Sequence, residues 1–62
     1  MLSNARIRAY ARIMDAGMRT IDEVDEEYRV PVYLELIARY KWDIEEVDVR
    51  YQEAVKKELG MK

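Results

Sequence analysis

Residues 17–36 (GMRTIDEVDEEYRVPVYLEL) and residues 40–59 (YKWDIEEVDVRYQEAVKKEL) align without gaps at an offset of 23, and eight of the twenty positions are identical. The pairs are Ile21/Ile44, Glu23/Glu46, Val24/Val47, Asp25/Asp48, Tyr28/Tyr51, Val32/Val55, Glu35/Glu58 and Leu36/Leu59. Ordinary residue usage would give roughly one or two such matches. A self-match at fixed period sets the architecture of a chain, because it implies that one supersecondary unit is used twice. Here the matches concentrate in a short acidic turn and on one face of the segment that follows.

That pattern predicts an all-α fold. A first helix is expected over residues 4–16, with Ser3 or Asn4 capping its free amides. Ile7, Tyr10, Ile13 and Met14 share one of its faces at helical spacing, and Gly17 suits a left-handed stop. Thr20-Ile21-Asp22-Glu23 reads as a capping box, and Asp43-Ile44-Glu45-Glu46 as the same device with Asp as the cap. Asp25 and Asp48 follow as second caps. The capped turns therefore cover 20–24 and 43–47, with longer helices over 26–40 and 49–59. Ile21, Val24, Ile44 and Val47 are expected to plug the core. Pro31 falls inside the second helix and predicts a kink or a loosened turn at 27–30. Ala54, its repeat counterpart, supports helix there. Gly60 ends the third helix, and Met61 and Lys62 are expected to fray. The first helix shares the repeat phase, with Tyr10 matching Tyr33, Ile13 matching Leu36 and Met14 matching Ile37.

At 62 residues the chain makes one domain, and a lone core of that size supplies only about 3–5 kcal/mol. It has no Cys and no His, so disulfides are excluded and the usual zinc, iron and copper ligand sets are missing. No loop of alternating oxygen ligands suits Ca²⁺ or Mg²⁺, and no cofactor is expected. What remains to stabilise so small a chain is helix packing and association. The second helix carries Val30, Val32, Tyr33, Leu34, Leu36, Ile37 and Tyr40, more than an apolar stripe of about 100° holds. We therefore expect a homodimer or higher homo-oligomer through Val30, Tyr33, Leu34, Ile37 and Tyr40.

Catalysis is not expected. Ser3 and Thr20 are the only non-tyrosine hydroxyls, and both read as caps. Adjacent carboxylates such as Glu26/Glu27 point about 100° apart on a helix and do not converge on a substrate. The opening MLSNARIRAYARIM lacks a continuous apolar core, so no signal peptide is expected. No apolar run approaches the roughly 18 residues of a membrane span. A cytoplasmic setting is expected.

Charge is uneven. Residues 1–19 balance at +3, residues 20–36 at −5 and residues 37–62 at zero. Asp22, Glu23, Asp25, Glu26 and Glu27 form an acidic patch that could mimic phosphates and occupy a basic groove on another protein. The bland alternative is acidic first turns complementing helix dipoles. Arg8, Arg12 and Arg19 could contact nucleic acid, but the candidate recognition segment is acidic, which argues against it. Tyr40 and Trp42, at the end of the second helix, are expected to be exposed. Such aromatics are enriched at interface hot spots.

The segment AYARIMDAGMRTIDEVDEEYR resembles small phage and prophage proteins of the XkdX-like kind, which are encoded among tail genes. Gly17, Thr20, Ile21, Asp22, Glu23 and Val24 carry the likeness, over about a third of the chain. Those relatives often have Pro after the Val, where this chain has Asp25. The resemblance implies a non-catalytic, phage-derived interaction or structural protein acting in the host cytoplasm, with a host or phage protein as partner. The alternatives are a small inhibitor of a host or defence protein acting through the acidic patch, and a nucleic-acid-binding helical protein.

Overall fold

A computed structural model describes residues 2–60. Among them every regular element is helical: α1 (Asn4–Asp15), a first 3₁₀ turn (Ile21–Glu23), α2 (Glu26–Tyr40), a second 3₁₀ turn (Ile44–Glu46) and α3 (Val49–Leu59). Met61 and Lys62, expected to fray, lie outside the described residues.

Local chemistry explains each boundary. Ser3 caps α1, its hydroxyl accepting from the Arg6 amide at 3.3 Å. Gly17 follows with φ +76°. Its N–H donates to Met14 and that of Met18 to Ile13, the paired bonds of a Schellman stop. Glu23 reaches back to the Thr20 amide at 3.0 Å, which completes the first capping box. The second box differs from expectation. The Asp43 carboxylate makes no capping bond; the main-chain bond from the Glu46 amide to the Asp43 carbonyl, 2.9 Å, is kept, as its counterpart from Glu23 to Thr20 is at 3.0 Å. Asp48 caps α3 through the Arg50 amide at 2.9 Å. Asp25 precedes α2 without a side-chain cap bond, since its carboxylate accepts the Tyr10 hydroxyl instead, at 3.3 Å.

α2 runs unbroken through Pro31. The amide that Pro lacks would have bonded Glu27, an exposed residue, so that carbonyl can be hydrated. α2 stops at Lys41, which is left-handed at φ 59° although it is not glycine. The amides of Lys41 and Trp42 both donate to the Leu36 carbonyl.

The core is built from every element. Val32, Leu36 and Val55 are fully buried, and Val24 and Val47 nearly so. Ile21 is buried and Ile44 half-buried, so both 3₁₀ turns insert apolar side chains. Contacts that tie successive helices recur 23 residues apart. Tyr10 meets Tyr28 at 5.8 Å between ring centroids, and Tyr33 meets Tyr51 at 6.1 Å. Arg6 lies over the Tyr28 ring at 5.7 Å, and Arg29 over the Tyr51 ring at 5.9 Å. Tyr10 reaches Asp25, and the Tyr33 hydroxyl accepts from the Asp48 amide at 3.2 Å. The first turn of α2 thus packs against the start and middle of α1, and the first turn of α3 against the start and middle of α2. The Trp42 indole, just past α2, donates to Asp15 at the end of α1 at 2.9 Å. α1 and α2 therefore run in the same general sense.

Candidate functional site

The site is the outer face of α2 and the grooves on either side of it. Tyr28, Val32, Tyr33 and Leu36 turn into the core, whereas Val30, Pro31, Leu34 and Ile37 are only half-buried and Ala38 is exposed. On the α1 side, a groove of about 450 Å³ is lined by Ile7, Arg8, Pro31, Leu34, Glu35 and Arg39 among others. Next to it, sharing Arg8, a shallower groove of about 340 Å³ lies between Ala9, Arg12 and Tyr40. On the other side of α2, Ile37, Trp42, Asp43, Ile44, Glu45 and Leu59 enclose about 410 Å³.

The two flanks differ in charge. On the first, Arg39 Nε sits 2.6 Å from Glu35 Oε2. That oxygen is shielded from solvent yet accepts no hydrogen bond. The two observations are compatible: the pair is within ion-pair distance but out of line for a bond. Arg8 and Arg12 are exposed and have no ion-pair partner among the described residues. On the second flank Asp43 and Glu45 are exposed and likewise unpaired among the described residues.

The structure brings together only some of the residues singled out from sequence. Val30, Leu34 and Ile37 lie on the outer face. Tyr33 does not: it is 2% exposed, because its ring packs on Tyr51 and its hydroxyl takes the Asp48 amide. Burial pushes the Tyr33 phenol pKa upward, and the Asp48 amide bond opposes that shift. Tyr40 and Trp42 are half-buried rather than exposed. Tyr40 lies against the α1 groove, and Trp42 is held by Asp15.

The acidic patch is largely engaged within the chain. Asp22 pairs with Arg50 at 2.8 Å, Glu23 bonds the Thr20 amide and Asp25 accepts the Tyr10 hydroxyl. Glu26 and Glu27 are exposed. Anions at these first turns also complement the local dipoles.

Sequence reading missed Arg29 and Arg50, which build the main polar cluster. Arg29 donates to the Val24 carbonyl at 2.9 Å, the Tyr51 hydroxyl at 2.7 Å and the Asp22 carbonyl at 3.3 Å. Arg50 bonds both Asp48 oxygens and Asp22. Its guanidinium is 5.3 Å from the Tyr51 ring centre, so Tyr51 carries two guanidinium contacts. The Tyr51 hydroxyl holds the Arg29 pKa above its ordinary value. Asp48, then Asp22, do the same for Arg50. One sequence signal pointed here: Arg6 and Arg29 are 23 residues apart, four residues before Tyr10 and Tyr33. Gln52, at the counterpart of Arg29, donates to the Val47 carbonyl at 2.9 Å. This cluster joins elements to each other, and its residues line none of the three grooves described above.

No family model, curated protein or solved structure matches the chain. Among the described residues no helix is long and apolar enough to cross a membrane.

Proposed function

We propose that this chain is a small, non-catalytic protein–protein interaction or structural protein that associates with itself through the outer face of α2. The observation that carries the reading is the half-buried row Val30, Leu34 and Ile37 between two grooves with charged rims. Three helices leave that row incompletely covered, and a domain this small gains most from a partner that covers it. A self-associating helical piece also suits the tail-gene setting that the XkdX-like resemblance implies, with the host cytoplasm as its place of action.

The recurring contacts support a further part of the same reading: α2 and α3, each with its preceding turn, are two copies of one unit, and α1 is a partial third. In α3 the positions of Tyr33 and Leu34 are taken by Lys56 and Lys57. A charged outer face is how a repeat array ends. Lysines at the places where α2 presents Tyr33 and Leu34 disfavour stacking of α3 on a next α1 and leave the α2 face.

Light scattering and sedimentation across the micromolar range test the proposal. The expected result is a species larger than one chain that reverts to a monomer on Leu34→Asp, with helical circular dichroism retained. A wild-type chain that stays monomeric at high micromolar concentration would overturn it.

A further inference from the structure

The α2 face has two unlike edges. Leu34 lines the groove whose rim carries Arg8 and Arg39, and Ile37 lines the groove whose rim carries Asp43 and Glu45. These two apolar residues are three positions apart on one helix, hence neighbours on its surface. The face is therefore an apolar seam with cations along one side and carboxylates along the other. Arg39 is already paired with Glu35. Among the described residues Arg8, like Arg12 beside it, has no ion-pair partner, and neither do Asp43 and Glu45.

A patch of this kind is complementary to itself. A half-turn about an axis running along the seam, in the plane of the contact, exchanges the two edges, so each cationic edge meets the other copy's acidic edge, and does so twice. A head-to-tail stack satisfies one such pairing per contact and leaves both ends open. We propose that the occupant of this face is a second copy of the chain, docked as a closed twofold dimer. Leu34 and Ile37 lie near the axis, and Arg8 of each chain lies against Asp43 and Glu45 of the other. The proposal rests on the self-association reading above and specifies its geometry.

Size permits this. A stable interface covers about 800 Å² on each partner, roughly one-sixth of the 4584 Å² surface of this chain. Docking would also cover part of Leu59, a large apolar side chain 42% exposed beside Ile37 and Ile44. Guanidinium–carboxylate pairing favours planar, two-bond contacts at such a rim.

Charge reversal with mixing tests the geometry. Arg8→Glu makes both edges acidic, and Glu45→Lys weakens the acidic edge and adds a cation to it. Each variant alone is expected to dimerise about tenfold or more weakly than wild type. An equimolar mixture of the two is expected to regain dimer, because one contact then keeps Arg8 against an unaltered Asp43 and Glu45, and in the other the introduced carboxylate meets the introduced ammonium. Recovery on mixing also shows that both variants are folded. The wild-type dimer is expected to weaken as salt rises. A wild-type dimer indifferent to both reversals would overturn the pairing while leaving self-association intact. Wild-type species that keep growing with concentration would overturn the closed twofold arrangement. A monomeric wild type would overturn the self-association reading itself, and this proposal with it.

Discussion

Arg29 donates to the hydroxyl of Tyr51 at 2.7 Å, and the same guanidinium holds the carbonyl of Val24 through Nε at 2.9 Å. One side chain thus ties the end of the first 3₁₀ turn, the start of α2 and the start of α3. In the next unit Gln52 makes only the carbonyl bond, to Val47. Arg29→Gln should therefore keep the Val24 bond and lose Tyr51, and Arg29→Ala should lose both. The expected order of thermal midpoints is wild type, then Arg29→Gln, then Arg29→Ala. Tyr51→Phe should cost about 1 kcal/mol, and most of that loss should vanish in an Arg29→Gln background. Equal costs of Tyr51→Phe in both backgrounds would show that the two groups are not coupled.

The helical class was legible because the short-range signals agreed with one another. Apolar spacing, an Asp before α2 and α3, and Gly17 and Gly60 after α1 and α3 point to the same elements, and α2 and α3 begin directly after Asp25 and Asp48. What the caps do was less legible. Asp25 and Asp48 are the same residue at the same repeat position, yet one carboxylate takes a tyrosine hydroxyl and the other an amide and a guanidinium. The choice depends on the neighbours: Tyr10, fifteen residues before Asp25, for one, and Arg50, two residues after Asp48 where the other copy has Glu27, for the other. The outer face was legible only in part for the same reason. Periodicity showed that α2 is apolar nearly all round, but not that Tyr33 would be claimed by α3. The unlike charges of its two edges come from Arg8 on α1 and from Asp43 and Glu45 after α2, which no local pattern unites.

Two of the three αL stops among the described residues offer a direct comparison. Gly17 and Lys41 both have positive φ, 76° and 59°. A side chain in that conformation costs about 1–2 kcal/mol, and only Lys41 carries one. Lys41→Gly should stabilise the fold by roughly 0.5–1 kcal/mol after the greater freedom of glycine in the unfolded chain is counted. Gly17→Ala should destabilise it by about 1 kcal/mol, although an added Cβ meets nothing within 4 Å, because the penalty lies in the backbone. Thermal midpoints should move in opposite directions, by about 4–8 °C per kcal/mol in a domain this small. A Lys41→Gly midpoint at or below that of wild type would show that Lys41 is not strained.

Leu36 and Leu59 occupy the same repeat position, but one is fully buried and the other is 42% exposed. Leu36→Ala removes a core side chain and should cost about 2–5 kcal/mol. That equals most of the roughly 3–5 kcal/mol a core of this size provides, so the variant should be largely unfolded at room temperature. Leu59→Ala should cost about 1 kcal/mol or less. Far-ultraviolet circular dichroism with urea titration distinguishes them, and comparable losses in both would contradict the packing described here.

Asp48 is a carboxyl through which the stability of the fold should respond to acid. The Arg50 side chain, and then the Arg50 amide, hold its carboxyl below the ordinary value of 3.8. A carboxyl with a lower pKa folded than unfolded contributes stability above its unfolded pKa. That contribution fades as pH falls through the folded pKa. Stability should therefore decline from about pH 4 downward. The chain has no His, so no unperturbed side chain titrates between about pH 5 and 8, and stability there should be nearly flat. Asp48→Asn keeps a competent cap for α3 but removes the charge that Arg50 holds. It should lower stability at neutral pH and make the acid decline shallower. Urea midpoints measured from neutral pH into the acid range provide the check. An Asp48→Asn curve that runs parallel to wild type through the acid range would assign the sensitivity to other carboxylates.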